Sequence, residues 1–151
     1  MNLKYYYWYF QSAIPPKICD DILEHGNSKR KEIAITGGER NEPPTKEELK
    51  NIQKKRKSDV VWMSERWLYN EIQPYIHMAN ASAGWNFQWD FTEACQFTEY
   101  KKGQFYDWHC DSNELPYDKS EEPNSNGKIR KLSMTLCLTE PDEYEGGDLE
   151  F

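Results

Sequence analysis

The stretch 96-QFTEYKKGQFYDWHCD-111 decides how this chain is read. Its aromatic content and turn signals place it in two short strands, over Glu93–Tyr100 and Gln104–Asp111. On a strand, residues i and i+2 point to the same face, so His109 and Asp111 set an imidazole and a carboxylate side by side, with Cys110 turned away. That is two-thirds of the two-histidine, one-carboxylate face that non-haem Fe(II) oxygenases use, which leaves three adjacent positions open for cosubstrate and O2. Taken alone, H-x-D is also the signature of a solvent-facing His–Asp hydrogen bond, and both readings stand at this point.

Working outward, the C-terminal half reads as β structure. Asn86–Phe91, Ile129–Leu138 and Gly147–Phe151 are further short strands. In 129–138, Ser133, Thr135 and Cys137 share one face while Leu132, Met134, Leu136 and Leu138 share the other. Residues 112–127 form a polar loop of the length usually found in functional lids. Gly103, Gly146 and Gly147 serve turn geometry, and Phe105 and Trp108 are expected in the core.

The N-terminal half reads as mainly helical. Tyr5–Phe10 is an aromatic strand, and Pro15-Pro16 opens a helix with an Ile18, Ile22, Leu23 stripe that Gly26 ends. Residues 36–45 form a loop. Thr45 with Glu48 makes a capping box for a polar helix to Lys57, anchored by Leu49 and Ile52. Asp59–Met63 is a strand, and Ser64 caps a helix carrying Trp67, Leu68, Ile72, Tyr75, Ile76 and Ala79, which Pro74 should kink or split. There are no internal repeats.

Composition narrows the function classes. The 151 residues carry a formal net charge of −7, and no apolar run approaches the roughly 20 residues of a membrane span. Leu, Ile, Val and Phe make only about a sixth of the chain, a disorder-like fraction. Six Trp, ten Tyr and six Phe reverse that reading, because a core can be built from rings. No secretory signal is evident, so the cytoplasm is the expected compartment, that of the host if the protein is phage-encoded. Cys19, Cys95, Cys110 and Cys137 form no C-x-x-C pair, so they read as free thiols. The acidic balance argues against nucleic acid as a partner, and Lys54–Lys57 reads as a solvated helix end.

The pattern Y-x-x-G-x-x-Y-x-x-H-x-D over Tyr100–Asp111, followed by 130-RKLSMTLCL-138 and 145-EGGDLEF-151, closely resembles the Fe(II)/2-oxoglutarate-dependent dioxygenases. The resemblance is to their prolyl/lysyl hydroxylase-like branch, and within it to oxygenases carried by marine phages. It is firm over residues 94–151, looser from Trp67 to Phe91 and faint before that. It implies an α+β chain with a double-stranded β-helix (jelly-roll, cupin-like) core: one domain over 1–151, with 1–85 as support and 86–151 as the first half of the jelly roll.

The resemblance further implies that His109 and Asp111 bind iron. Tyr100 matches a tyrosine that approaches 2-oxoglutarate, although a packed barrel tyrosine is an equal reading. Thr135 and Leu149 are second-rank cosubstrate contacts. Several relatives carry an aromatic residue near Cys137, where this chain departs. The implied cofactors are Fe(II), 2-oxoglutarate and O2, with ascorbate as a possible addition, and the implied partner is a protein or small-molecule substrate. The family's third ligand, a later histidine, and the Arg or Lys that pairs with the cosubstrate have no counterpart after Asp111, and the other histidines are His25 and His77. Both read as ordinary helix histidines. The natural product is therefore expected to be longer. The rival readings are a non-catalytic jelly-roll binding domain and a zinc enzyme.

Overall fold

The computed structural model describes residues 4–29, 32–33 and 44–150, with only the backbone of 32–33 described. The element order is α1 (Pro16–Ser28), β1 (Glu32–Ile33), α2 (Lys46–Lys55), β2 (Arg56–Lys57), β3 (Asp59–Met63), α3 (Arg66–Ser82), β4 (Cys95–Glu99) and β5 (Phe105–Tyr106). The α+β class expected from the sequence is what these elements make. Most of the loop expected over residues 36–45 lies outside the described residues.

Two compact units share the chain. One comprises the residues up to Ile22 with Ser64–Ala94 and Cys110–Leu136; the other comprises Leu23–Met63, Cys95–His109 and Cys137 onward.

The described strands all lie in the second unit, in a three-stranded sheet ordered β1-β3-β4 and a pair β2-β5, with every pairing antiparallel. The β3–β4 ladder runs from Asp59 opposite Glu99 to Met63 opposite Cys95. Val60, Val61 and Met63 are buried while Trp62 is exposed, so this β-branched strand is covered on both faces for most of its length. Helix α2 begins with the expected capping box: Glu48 N–H donates to Thr45 Oγ1 at 3.3 Å and Thr45 N–H to Glu48 Oε2 at 2.9 Å. It ends at Lys55 rather than Lys57, because Arg56 turns extended and begins β2.

Gly26 does not end α1. The helix continues to Ser28, and a Cβ at residue 26 would stand 2.7 Å from ring atoms of Phe97 in β4. The glycine is there for close approach.

The first unit is organised by α3. Leu68 and Ile72 are buried along it, with Ile14, Ile22 and Ala83 also buried. The helix is not split at Pro74. Tyr69 Oη donates to Glu93 O at 3.2 Å, Gln73 Nε2 to Thr92 Oγ1 at 3.1 Å and Tyr75 Oη to Ala13 O at 2.5 Å, so tertiary bonds on both sides hold the helix through the missing N–H. Its N-cap is Glu65, not Ser64.

Several expected strands do not form. Phe87 donates its N–H to Asn80 Oδ1 at 3.0 Å and accepts from Asn80 Nδ2 at 2.8 Å, so a helix side chain takes the groups a ladder would use over Asn86–Phe91. At Tyr5–Phe10, Trp85 Nε1 donates to Tyr5 O at 2.6 Å, and Tyr5 meets Trp8 edge-on while Phe10 meets Tyr75 in the same way. Neither Ile129–Leu138 nor the described part of Gly147–Phe151 finds a ladder partner among the described residues. Alternation of side chains is necessary for a strand, but pairing makes it one.

The polar segment 112–127 is closed by its own bonds. Tyr117 N–H reaches Lys128 O and Gly127 N–H reaches Tyr117 O, both at 2.8 Å, and Ser125 is buried with its hydroxyl on Glu122 Oε2 at 2.8 Å. Among the described residues no helix is long and apolar enough to cross a membrane.

Candidate functional site

His109 belongs to the second unit and follows β5. The β2–β5 pairing places Arg56 opposite Tyr106 and Lys57 opposite Phe105, and Asp107 N–H extends it to Lys55 O at 2.8 Å. The strand expected as far as Asp111 stops at Tyr106 because β2 offers only two residues and Asp107 then serves local donors. Its Oδ1 accepts from Trp108 N–H at 2.8 Å, and its carbonyl lies 2.7 Å from His109 Nδ1. A carbonyl can only accept, so Nδ1 carries a proton and, in the neutral ring, the lone pair is on Nε2. The imidazole stacks on Tyr106 with centroids 3.6 Å apart and an interplanar angle of 11°.

Phe105 and Trp108, expected in the core, are instead exposed, Trp108 to 70%. Phe105 sits on the open side of a two-residue strand, and Trp108 falls beyond the ladder.

Asp111 belongs to the first unit. The Ser133 hydroxyl donates to its Oδ2, and Arg130 Nη1 donates to its carbonyl at 2.5 Å. Arg130 also binds the Glu93 carboxylate through Nη2. Burial pulls the Arg130 guanidinium down, but the Glu93 hydrogen bond and charge, with smaller contributions from Tyr117 and Asp111, more than offset this and hold it above its ordinary value. The cation is therefore permanent, and Glu93, Arg130 and Ser133 together fix residue 111 at both backbone and side chain.

The two candidates are thus held differently from the sequence expectation. No strand carries them; each is oriented by its own hydrogen-bonding partner. A histidine whose Nδ1–H is given to a backbone carbonyl and a carboxylate that accepts a hydroxyl are the arrangements outer-shell groups impose on metal ligands. The donor chemistry fits two positions of a facial triad. Among the described residues no group of three His, Cys, Asp or Glu side chains gathers as a metal site, and His77 is stacked on Trp89 at 4.6 Å.

Tyr100 follows β4 and is 49% exposed; Thr135 and Leu149 are exposed and lie outside the ladders. Cys137 Sγ lies 3.7 Å from Tyr144 Oη, and this hydrogen bond raises the tyrosine hydroxyl above its ordinary value. Sequence reading assigned no role to Arg56, Tyr106, Asp107, Glu93 or Arg130; those of Arg56, Glu93 and Arg130 come from strand register and long-range bonds, and those of Tyr106 and Asp107 toward His109 from local contacts. Tyr106 and Arg130 stood in the quoted motifs, and Ser133 left a signal as a polar residue on the alternating face.

Comparison with known proteins now bears on these residues. Residues 95–151 match the 2OG-Fe(II) oxygenase superfamily. The matched segment holds His109, Asp111, Tyr100, Thr135 and the Gly146-Gly147 turn. A PKHD-type hydroxylase of Pseudoalteromonas atlantica is 40% identical over 55 residues, 36% of this chain and 22% of the relative. A PKHD-type hydroxylase of a Janthinobacterium species is 43% identical over 54 residues, 35% of this chain and 22% of the relative. Each alignment thus spans about a fifth of these curated relatives. No solved structure matches the chain. For the 2OG-Fe(II) oxygenase superfamily, the implied cofactors are Fe(II), 2-oxoglutarate and O2.

Proposed function

We propose that this chain contributes His109 and Asp111 as ligands to the Fe(II) of a 2-oxoglutarate-dependent hydroxylase. The observation that carries the reading is the superfamily match of residues 95–151, which contains both candidates. Hydrogen bonds support it. Asp107 O directs the His109 ring, and Ser133 directs the Asp111 carboxylate.

With Fe(II) and 2-oxoglutarate bound, such a centre supplies O2-dependent hydroxylation of an unactivated C–H bond, the cosubstrate leaving as succinate and CO2. The chain's part is positional. His109 presents Nε2, Asp111 presents a negative carboxylate to a cation, and the Arg130–Glu93 pair keeps the residue 111 backbone in place. Tyr100, Thr135 and Leu149 are proposed to lie toward the cosubstrate, within a jelly-roll framework. Prolyl or lysyl residues of a protein are the proposed substrate, by analogy with the branch the sequence resembles, with ascorbate as a supporting reductant and the cytoplasm as the site of action.

The absence of a third donor beside these two among the described residues favours one other reading, a non-catalytic binding domain. Succinate formation from 2-oxoglutarate separates the two. The hydroxylase reading expects succinate that requires Fe(II), is not supported by Zn(II), and disappears in His109→Ala and Asp111→Ala. Absent succinate, or succinate indifferent to both substitutions, overturns it.

A further inference from the structure

Arg56 is buried to 4% exposure, yet the partners its guanidinium contacts among the described residues are neutral. Nε donates to Ser58 Oγ at 2.9 Å, and Nη2 donates to Gln96 Oε1 at 2.6 Å and more loosely to Thr98 Oγ1 at 3.5 Å. Its carbon Cζ stands 4.4 Å from the centroid of the Tyr106 ring, its cross-strand partner. The His109 imidazole lies on the same ring at 3.6 Å, nearly parallel. Two groups at these distances cannot share one face of a phenol. The order is therefore Arg56, Tyr106, His109, a three-layer stack anchored at its buried end by the β4 side chains Gln96 and Thr98.

We propose that Tyr106, clamped by Arg56, is the positioning residue that sets the ring plane of His109 and so governs how its Nε2 meets a metal. The inference rests on His109 being a ligand, as proposed above. A planar guanidinium held by directed hydrogen bonds has one orientation, and it attracts the electron-rich face of the ring that covers it. The tyrosine ring then has one orientation, and the stacked imidazole inherits it. The Asp107 carbonyl fixes rotation within that plane through Nδ1. Together the two contacts set the plane of the His109 ring and its rotation within that plane, and so the direction of Nε2. The contacts to Arg56 and His109 are made by the Tyr106 ring, so the ring and not the phenol is required.

The test uses the full 151-residue chain with Tyr106→Phe, Tyr106→Leu and Arg56→Met. In metal-free protein, the His109 ring protons are read by NMR, since stacking on an aromatic face moves them upfield. Fe(II) affinity is then titrated without O2. Tyr106→Phe is expected to keep the upfield position and to bind within about twofold of the parent. Tyr106→Leu and Arg56→Met are expected to lose the upfield position and about tenfold in affinity, the scale of outer-shell substitutions. Should Arg56→Met fail to fold, the Tyr106 pair decides. A Tyr106→Leu protein that loses the upfield position but binds Fe(II) like the parent overturns the proposal and leaves the metal reading standing. A parent protein with His109 upfield and no Fe(II) affinity overturns the metal reading beneath it.

Discussion

Ser133 gives its hydroxyl hydrogen to Asp111 Oδ2, while Arg130, three residues earlier, holds the carbonyl of the same aspartate at 2.5 Å. One short segment therefore fixes both ends of residue 111. A carboxylate with one oxygen engaged has a defined direction for the other, which is what a ligand to an open metal site requires.

Ser133→Ala removes that hydrogen bond without adding bulk, and about a tenfold loss of Fe(II) affinity is expected. Ser133→Thr keeps the hydroxyl and is expected to stay near the parent value. Metal titration of the two variants side by side checks this, with unchanged affinity in Ser133→Ala counting against the outer-shell role.

At Gly26 two effects compete. Alanine is favoured over glycine in a helix by about 1 kcal/mol, whereas overfilling a packed contact costs about 1–3 kcal/mol. Because the new Cβ meets the Phe97 ring itself at 2.7 Å, Gly26→Ala is expected to destabilise by about 1 kcal/mol in urea unfolding. Adding Phe97→Leu is expected to relieve part of that loss, since the two residues are in contact and their effects do not add.

Helix α2 is short and mostly exposed, so its cap matters. Thr45→Ala removes the acceptor for Glu48 N–H and is expected to cost about 1 kcal/mol. Faster hydrogen exchange confined to the first turn of α2 is the signature to look for.

What was legible in the sequence was local. The capping box at Thr45 and Glu48, the strand Asp59–Met63 and the helical stripe through Leu68 and Ile72 needed no knowledge of partners, and each stands as read, the strand to the residue. The failures are non-local. Phe87 looked like a strand residue until Asn80 took both of its backbone groups, and Gly26 looked like a terminator until Phe97 was found against it. His109 and Asp111 were found by spacing, but on the strength of a strand that ends at Tyr106. Of their actual supports, Asp107 is local, while Ser133 and the Arg56–Tyr106 pairing depend on chain return and register that no short pattern encodes.

Tyr117 gives the pH dependence. Burial first, then the nearby Glu93, raise its hydroxyl above the ordinary value of 10.0, against opposing pulls from Arg130 and Lys119. The folded chain thus keeps this proton longer than the unfolded chain. Stability from this group is fully present below the ordinary tyrosine value and is lost as pH rises through the higher folded value. Urea midpoints measured across that alkaline range are expected to fall less in Tyr117→Phe than in the parent; equal falls would show that Tyr117 is not the group responsible.

Whether His109 and Asp111 bind one Fe(II) is read from anaerobic Fe(II) titration of the parent chain, His109→Ala, Asp111→Ala and the double variant. One site per chain is expected in the parent, at least a tenfold loss in each single variant, and a double variant little worse than either single one, because ligands of one ion fail together. No measurable site in the parent, or a site that survives both substitutions, would contradict binding by these two residues.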